Sequence, residues 1–164
     1  MQVFKKDLIY MCNLTDCNKK DIYKRNYILI RDNTIYATNS IIAGRYNTTV
    51  TDSEPCAFAT SKDLVKFLRA IPRDRVNITT KGEEVIFEDV FSAEYAKYDE
   101  WIIDKINEWC DSEPDSTYIF KTRLNTEYLA RFGKTVRLTH SNTYVKVGTD
   151  DLNFAGVIAE VRNA

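Results

Sequence analysis

The chain has 164 residues, of which 44% are hydrophobic and 12% aromatic, and its formal net charge is −1. This composition suits one folded core of ordinary size and excludes a disordered chain. No apolar run approaches the roughly 18 residues that a membrane-spanning helix needs. The N-terminal residues lack the small-residue cleavage site of a secretory signal, so we expect a cytoplasmic protein with reduced cysteines.

Cysteine and histidine content limits the chemistry that the chain can carry. Cys12, Cys17, Cys56 and Cys110 form no close CxxC pair, so no structural zinc site is expected. A catalytic Ser–His or Cys–His pair would have to use the single histidine, His140, which falls in LTHSNTY, a segment typical of an exposed turn. We therefore predict no metal, no cofactor and no catalytic residue.

The net charge conceals a strong segregation along the chain. Residues 1–82 carry 14 Lys/Arg against 8 Asp/Glu, residues 83–116 carry 2 against 12, and residues 117–164 carry 7 against 4. A basic body with one acidic block can present a positive surface in spite of the overall balance.

The first half of the chain predicts alternating strands and short helices. MQVF predicts a strand that leads into a helix, KKDLIYMCN, and RNYILIRDNTIYATN predicts a hairpin that turns at Asp32–Asn33. SIIAGRY and CAFAT predict two further strands. The helix KDLVKFLRAI begins after an N-cap at Ser61 and ends at Pro72, and VNITT pairs with EEVIFEDV across Lys81–Gly82.

The second half opens with the acidic block. YDEWIIDKINEWC predicts a helix with Trp101, Ile102, Ile106 and Trp109 on one side, and burial in a core is a better interpretation of that side than a subunit contact. The remaining segments predict a strand (TYIFKT), a helix capped by Asn125 and ended by Gly133 (NTEYLARFGK), a hairpin through Ser141–Asn142, and a last strand (FAGVIAEVR).

A strand, a short helix and further strands thus recur three times, beginning near residues 1, 56 and 117. Tight turns between strands favour antiparallel pairing over parallel βαβ units. We predict an α+β fold with antiparallel sheets on one side and short helices on the other. The expected division is two modules in residues 1–92, an acidic connector with its helix in 93–116, and a third module in 117–164.

The predicted helix after Ser61 carries the main functional signal. Its apolar side holds Leu64, Phe67, Leu68 and Ile71, and the opposite side presents cations that suit the phosphates of a polyanion without reading its bases. A solvated surface helix is the alternative interpretation, and Arg131 could simply pair with Glu127. The candidate nucleic-acid contacts on the three helices are Lys62, Lys66, Arg69, Arg73, Lys5, Lys6, Arg131 and Lys134.

Several segments together resemble the bacterial sliding clamp, the β subunit of DNA polymerase III. IYATNSIIAG is similar to the signature that usually reads ATDGHRLA, and RNYILIRDN is similar to the stretch before it. CAFATSKDLVKFLRAI resembles the entry to the next module, AEYAKYDEWI the FPDY-type connector, and FKTRLNTEYLARFGKTVRLTH with FAGVIAEVR the last module. These pieces occur in the order of the family and cover about 130 of the 164 residues.

The resemblance implies a ring of modules with helices facing duplex DNA, in a non-catalytic protein that tethers a DNA polymerase. Small clamp-like proteins of this layout occur in bacteriophages, which would place this chain in a bacterial host cell as a homo-oligomer. The resemblance also implies a pocket for short peptides of replication proteins. The corresponding positions are Thr38, Ser40, Ile41, Ile42, Ala43, Val157, Ala159 and Val161.

The chain departs from the family in several places. Asn39 replaces the usual Asp, Ile41 and Ile42 replace His-Arg, and Glu160 stands where a proline is expected. Ordinary sheet core is an equally good interpretation of Ile41, Ile42 and Val157. Full bacterial clamps have six modules per chain and other clamps have four, whereas at most three are counted here. Either four chains close a ring, or one apparent module is degenerate, or no ring forms.

Two other classes of function compete with a clamp. The chain could be an interaction or inhibitor protein that uses the clamp fold without encircling DNA and binds a partner through its acidic segment. A metal-dependent nuclease would need carboxylates such as Asp99, Asp104 and Glu108 to converge in a cleft.

Overall fold

The computed structural model of the chain describes residues 1–16, 26–51, 54–113, 124–141 and 144–159. These residues form eleven strands and four α-helices, followed in one case by a turn of 3-10 helix. The strands are β1 (Gln2–Phe4), β2 (Tyr27–Arg31), β3 (Thr34–Thr38), β4 (Ile42–Asn47), β5 (Cys56–Ala59), β6 (Arg75–Lys81), β7 (Glu84–Phe87), β8 (Phe91–Glu94), β9 (Arg137–Ser141), β10 (Tyr144–Gly148) and β11 (Phe154–Ala159). The helices are α1 (Lys5–Cys12), α2 (Lys62–Ala70), α3 (Glu100–Asp111) and α4 (Thr126–Leu129), and the 3-10 turn is Ala130–Phe132.

The strands form two antiparallel sheets. The smaller sheet has the order β1-β6-β7-β8, and the larger has the order β5-β2-β3-β4-β11-β10-β9. β1 pairs with β6 while β5 pairs with β2, so each of the first two strand–helix repeats gives its first strand to the sheet of the other. β4 pairs with β11, which joins the first repeat to the last one. The predicted α+β fold with antiparallel sheets is confirmed.

Local turn and cap signals act as the sequence predicts. Asp32 and Asn33 both adopt left-handed backbone, with φ of 49° and 59°, which matches the twist of a two-residue hairpin. The Ser61 side chain accepts a hydrogen bond from the Leu64 N–H at 3.0 Å and caps α2. The Asn125 side chain accepts one from the Glu127 N–H at 2.9 Å and caps α4.

Strand alternation separates two apolar layers on the larger sheet. One face carries Ile28, Ile35 and Phe58 into the main core, which also holds Leu64 and Leu68 of α2. The other face carries smaller clusters that include Leu29, Ala43 and Val157, and these are covered by α3. The acidic helix α3 therefore lies on the face opposite the repeated helices, where it shields the apolar residues of the second face from solvent.

The buried side of α3 is rotated from the prediction. Ile103, Ile106 and Cys110 are its buried residues, whereas Trp101 is 57% exposed. Of the four side chains expected to share one core-facing side, Ile106 is buried, Ile102 and Trp109 are half-buried, and Trp101 is not core.

The structure differs from the sequence expectations at two other places. His140 lies buried in β9 opposite Val145, not in an exposed turn. β8 was not expected, because Glu88 and Asp89 form the preceding turn in left-handed backbone without a glycine. The Glu88 carboxylate instead secures that turn by accepting from the Asn77 N–H at 2.7 Å.

The expected strand TYIFKT, most of the Ser141–Asn142 turn and Val161 lie outside the described residues. In the described part of the chain, no helix is both long and apolar enough to span a membrane.

Candidate nucleic-acid and peptide interfaces

An open groove of about 770 Å³ runs between α1, α2 and the α4 region. We call it the cationic groove, because four of the eight predicted cations line it. Lys62, Lys66 and Arg69 come from α2, and Arg131 comes from the 3-10 turn of the last repeat. Cations from two separate repeats therefore converge on one concave surface.

The three α2 cations remain available to a ligand. All three are exposed, and the apolar side of the helix is committed to the core through Leu64 and Leu68. Lys66 is 77% exposed and lies 3.6 Å from Asp63, a spacing at which a surface ion pair contributes little.

Arg131 is bound more tightly to the protein. Its guanidinium donates to the Thr15 carbonyl at 3.0 Å, lies 5.1 Å from the centre of the Tyr128 ring and is 3.7 Å from Glu127. The predicted pairing with Glu127 is therefore present, and Arg131 also fixes the last repeat to the segment after α1. Asp16 and Glu127 line the same groove, so the lining holds four cations and two carboxylates.

The other four predicted cations do not line the cationic groove. The Lys5 ammonium donates to the Ile71 carbonyl at 2.6 Å, at the end of α2. Arg73 lies 4.0 Å from Glu88 at the β7–β8 turn, because the chain leaves the helical direction at Pro72. Lys6 and Lys134 are exposed outside the groove lining.

A second concavity, of about 160 Å³, lies on the opposite face of the larger sheet. We call it the apolar pocket. Seven of the eight predicted peptide-contact residues line it: Thr38, Ser40, Ile41, Ile42, Ala43, Val157 and Ala159. The rest of the lining comes from α3 and β10: Trp101, Ile102, Lys105, Ile106, Trp109 and Tyr144.

Burial divides the predicted pocket residues. Ile42 is 1% exposed and belongs to the main core, and Val157 is buried beneath α3. Ile41 is 40% exposed at the mouth. The core interpretation thus holds for Ile42 and Val157, while Ile41 presents its side chain to the pocket.

The turn that forms one wall of the pocket is held by Asn39. Its side-chain oxygen accepts from the N–H groups of Ile41 at 3.0 Å and Ile42 at 2.9 Å. Asparagine and aspartate offer the same acceptor oxygen, so the departure from the family signature preserves the turn. The Ile41 carbonyl then accepts from the Ala159 N–H at 2.8 Å, which fixes the turn to β11.

The other wall, α3, is held to the sheet at both ends. Arg31 of β2 pairs with Glu100 at its start, and Arg45 of β4 pairs with Asp111 at its end. Hydrogen bonding to Arg45 lowers the pKa of Asp111. At the C-terminus the Lys146 ammonium donates to the Ser112 carbonyl at 2.7 Å. α3 thereby bridges β4 and β10 on either side of β11.

Sequence reasoning did not place α3 in this pocket. The sequence did contain a signal for it, the apolar side of the acidic helix formed by Trp101, Ile102, Ile106 and Trp109. That side is too apolar to face solvent alone, and only part of it is buried in the core. Cys110 is buried on the side of α3 that faces the sheet, and this burial raises the pKa of its thiol to about 11, which disfavours the reactive thiolate.

The carboxylates suggested for a nuclease do not form a catalytic cluster. Asp104 and Glu108 lie exposed on α3, and Glu108 pairs with Lys105 at 2.5 Å. Among the residues that the structure describes, no group of three or more His, Cys, Asp or Glu side chains is arranged to hold a metal ion.

No known protein family and no curated protein matches the sequence. Solved structures do match: the DNA polymerase III beta subunit of Thermotoga maritima aligns with a TM-score of 0.64 at 10% identity, over 99% of this chain and 64% of that chain. This chain has the sliding-clamp fold. The resemblance inferred from collinear motifs is thus confirmed.

Other clamps give the same result. The Pseudomonas aeruginosa sliding clamp with a ligand has a TM-score of 0.63 at 8% identity, over 100% of this chain and 64% of that chain. The Helicobacter pylori beta clamp bound to a DNA ligase peptide has a TM-score of 0.61 at 10% identity, over 100% and 67%. The chain therefore carries the clamp fold in about two thirds of the length of these proteins.

Proposed function

We propose that the protein is a non-catalytic processivity factor of the sliding-clamp type. It binds duplex DNA without sequence preference through the cationic groove and tethers a DNA polymerase or another replication protein through the apolar pocket. The observation that carries the proposal is the convergence of Lys62, Lys66, Arg69 and Arg131, from two repeats, on one groove. No cofactor is required for such tethering, which raises the effective concentration of the enzyme on its template.

Charge placement supports DNA as the ligand of the groove. Lysine and arginine side chains pair readily with phosphate oxygens, and contacts to the phosphate backbone carry no sequence information. The acidic helix α3 lies on the other face of the sheet, where it cannot repel a polyanion in the groove at short range. The sub-neutral pI of about 5.9 is therefore compatible with DNA binding.

The peptide part of the proposal is supported by pocket composition. The turn after β3, the strand β11 and α3 enclose an apolar cavity beside half-buried aromatic residues. The matched Helicobacter pylori clamp is bound to a DNA ligase peptide, so this fold accommodates short peptides. We propose that a replication protein of the same cell binds this chain in that way.

Assembly and setting are further parts of the proposal. We propose a homo-oligomer of a bacteriophage-encoded protein, acting in the cytoplasm of the bacterial host, with two modules in residues 1–92, a connector in 93–116 and a third module in 117–164. Open sheet edges support the oligomer. Within the described ranges, β8 and β9 each pair with another strand on one side only. β4, which holds in the first repeat the position that β8 holds in the second, pairs with β11 on its second side.

The test is binding of labelled duplex DNA by fluorescence anisotropy across a salt series. With three phosphate contacts from α2, the slope of log K against log salt should be about −2.7, or about 40-fold weaker binding between 50 and 200 mM salt. Changing Lys62, Lys66 and Arg69 together to Glu should abolish binding. The matched control changes Lys6, Arg73 and Lys134 to Glu, which alters net charge equally outside the groove.

The control variant should retain DNA binding, weakened only a few-fold by its altered net charge. Equal loss of binding in both variants would show that net charge and not the groove governs the interaction. Retained binding in the α2 variant would refute the assignment of the groove.

A clamp-fold inhibitor that binds through its acidic segment is the second candidate. It is less well supported, because Glu100, Glu108 and Asp111 are engaged with cations of this chain and hold α3 in place. A monomer without DNA affinity at low salt would favour it.

A further inference from the structure

We propose that two copies of this chain bind each other through their third repeats, and that the open edge of β9 receives a strand from the second copy. This rests on the homo-oligomer proposed above and names its contact surface and its mode of pairing. Three features of the molecule support it: the strand exchange between the first two repeats, the lack of a companion for the third repeat, and the incomplete cover of the core beside β9.

The first two repeats complete each other by exchanging their first strands. β1 of the first repeat pairs with β6 of the second, and β5 of the second pairs with β2 of the first. The second strand of each repeat, β2 or β6, therefore lies between the third strand of its own repeat and the first strand of the other. A repeat of this kind needs another repeat to fill the place beside its second strand.

The third repeat has no such companion among the described residues. β9, β10 and β11 are its second, third and fourth strands, and the first strands β1 and β5 are already paired within the first two repeats. β9 ends the larger sheet of the described chain, with β10 as its neighbour. The other edge of β9 is therefore a template on which a further strand can pair.

Burial beside β9 differs from burial at the same place in the second repeat. Leu138 and Val136 lie three and five residues before the end of β9, the positions that Ile78 and Val76 occupy relative to the end of β6. Ile78 and Val76 are 2% and 0% exposed, whereas Leu138 and Val136 pack against the same main core but are only half-buried. An exchanged strand lies beside β6, and the corresponding cover is incomplete at β9.

The helix of the third repeat is less well packed than the other two. α1 and α2 contact each other, and each has fully buried side chains such as Leu8 and Leu64. α4 has no buried residue, and its apolar side chains Tyr128 and Leu129 are half-buried. A second α4 placed beside the first, as α2 lies beside α1, covers these side chains and extends the surface that carries the cationic groove.

A second copy of the chain is the occupant that fits this edge. Its third repeat presents the same open edge and the same half-buried side chains, so a single contact about a two-fold axis completes both repeats. The first strand of a repeat does not serve its own second strand, because β1 and β2 lie in different sheets. The sequence predicts the donated strand at TYIFKT, outside the described residues, whereas the receiving strand β9 is described.

The first assay is the molar mass in solution, measured by size-exclusion chromatography with light scattering over a dilution series. The chain has a mass of 19.0 kDa, so the pair has twice that mass, about 38 kDa. Leu138→Lys should raise the dissociation constant of the pair by about a hundredfold. A lysine stem reaches solvent from a half-buried site in the single chain, whereas in the pair its ammonium is buried without a partner.

Val50→Lys is the matched control. Val50 is likewise half-buried against the main core, but it lies in the loop after β4, where its N–H donates to the Asn33 side chain at 3.1 Å. The substitution is chemically alike and affects the same core away from β9, so the dissociation constant should not change. Circular dichroism of both variants shows whether each one folds.

Hydrogen exchange of the unaltered chain tests the same edge without a substitution. Raising the protein concentration should slow exchange in peptides that contain β9 and α4. Exchange in β3 should not change, because β3 already lies between β2 and β4 inside the sheet. This measurement decides the question alone if Leu138→Lys does not fold.

The outcomes separate this inference from the proposed function. A monomer at every concentration would refute the homo-oligomer together with the pairing through β9, while the DNA titration still tests the cationic groove. An oligomer that Leu138→Lys and Val50→Lys form equally well, or one in which β8 gains protection and β9 does not, would leave the homo-oligomer standing and overturn the pairing through β9. Loss of assembly in Leu138→Lys alone, with concentration-dependent protection of β9, is the expected result.

Discussion

A methyl group added at Gly156 should weaken the packing where β4 of the first repeat pairs with β11 of the last repeat. Gly44 and Gly156 face each other across the β4–β11 pair. A Cβ added to Gly156 would lie 2.6 Å from Cζ of Phe154 and 2.7 Å from Cε1 of Phe132, whereas ordinary contact begins near 3.4 Å. Both rings would have to withdraw by about 0.7–0.8 Å, and both are buried in the main core.

The expected cost of Gly156→Ala follows from that overlap. Overpacking a core costs about 1–3 kcal/mol, and the lower chain entropy of alanine offsets about 0.5–1 kcal/mol. We expect a net loss of about 1–2 kcal/mol in the free energy of unfolding. For a domain of this size this corresponds to a fall of about 2–8 °C in Tm.

The assay is urea and thermal unfolding followed by far-UV circular dichroism. Gly148→Ala is the matched control, because its Cβ would meet nothing closer than 3.9 Å, and its stability should be unchanged or slightly raised. Phe154→Leu combined with Gly156→Ala should cost less than the sum of the two single changes, since the smaller side chain relieves the overlap. Equal stability of the Gly156 and Gly148 variants would refute this account of the joint.

Two further predictions concern buried groups. Burial raises the pKa of Asp7 above its usual 3.8, so its ionisation disfavours the folded state above that pH. Asp7→Asn should therefore raise the free energy of unfolding at pH 7, and this gain should vanish as the pH falls through the raised pKa. The measurement is chemical denaturation at a series of pH values, and an equal gain in the free energy of unfolding at every pH would contradict the prediction. Arg45→Gln should loosen α3 and speed alkylation of Cys110 by iodoacetamide, measured by peptide mass spectrometry, while unchanged labelling would show that Arg45 does not hold the helix.

Local signals account for most of the elements that the sequence predicts correctly. The Asp32–Asn33 hairpin and the Ser61 cap depend on interactions between residues within three positions of each other, so the sequence contains all that is needed. The turn at Glu88–Asp89 was missed because its stability comes from a contact between Glu88 and Asn77 of another strand. His140 was misplaced for a similar reason, since the strand β10 opposite it decides its burial.

The candidate sites divide in the same way. The cationic side of α2 follows from helical periodicity, and four of the predicted cations meet in one groove. Lys5 and Arg73 lie elsewhere, since one binds the end of α2 and the other follows the chain past Pro72. The turn and β11 residues of the apolar pocket were predicted from the family resemblance, while its third wall was not.

Sequence alone determined the order of strands and helices, the apolar and cationic sides of α2, and the resemblance to a clamp, because these depend on spacing along the chain. Tertiary structure decided which face of the sheet the acidic helix covers and which of its carboxylates remain unpaired. Arg31 and Arg45 hold α3 on that face by pairing with Glu100 and Asp111, from strands more than 60 residues away. Nothing in the local sequence of the two arginines identifies these partners.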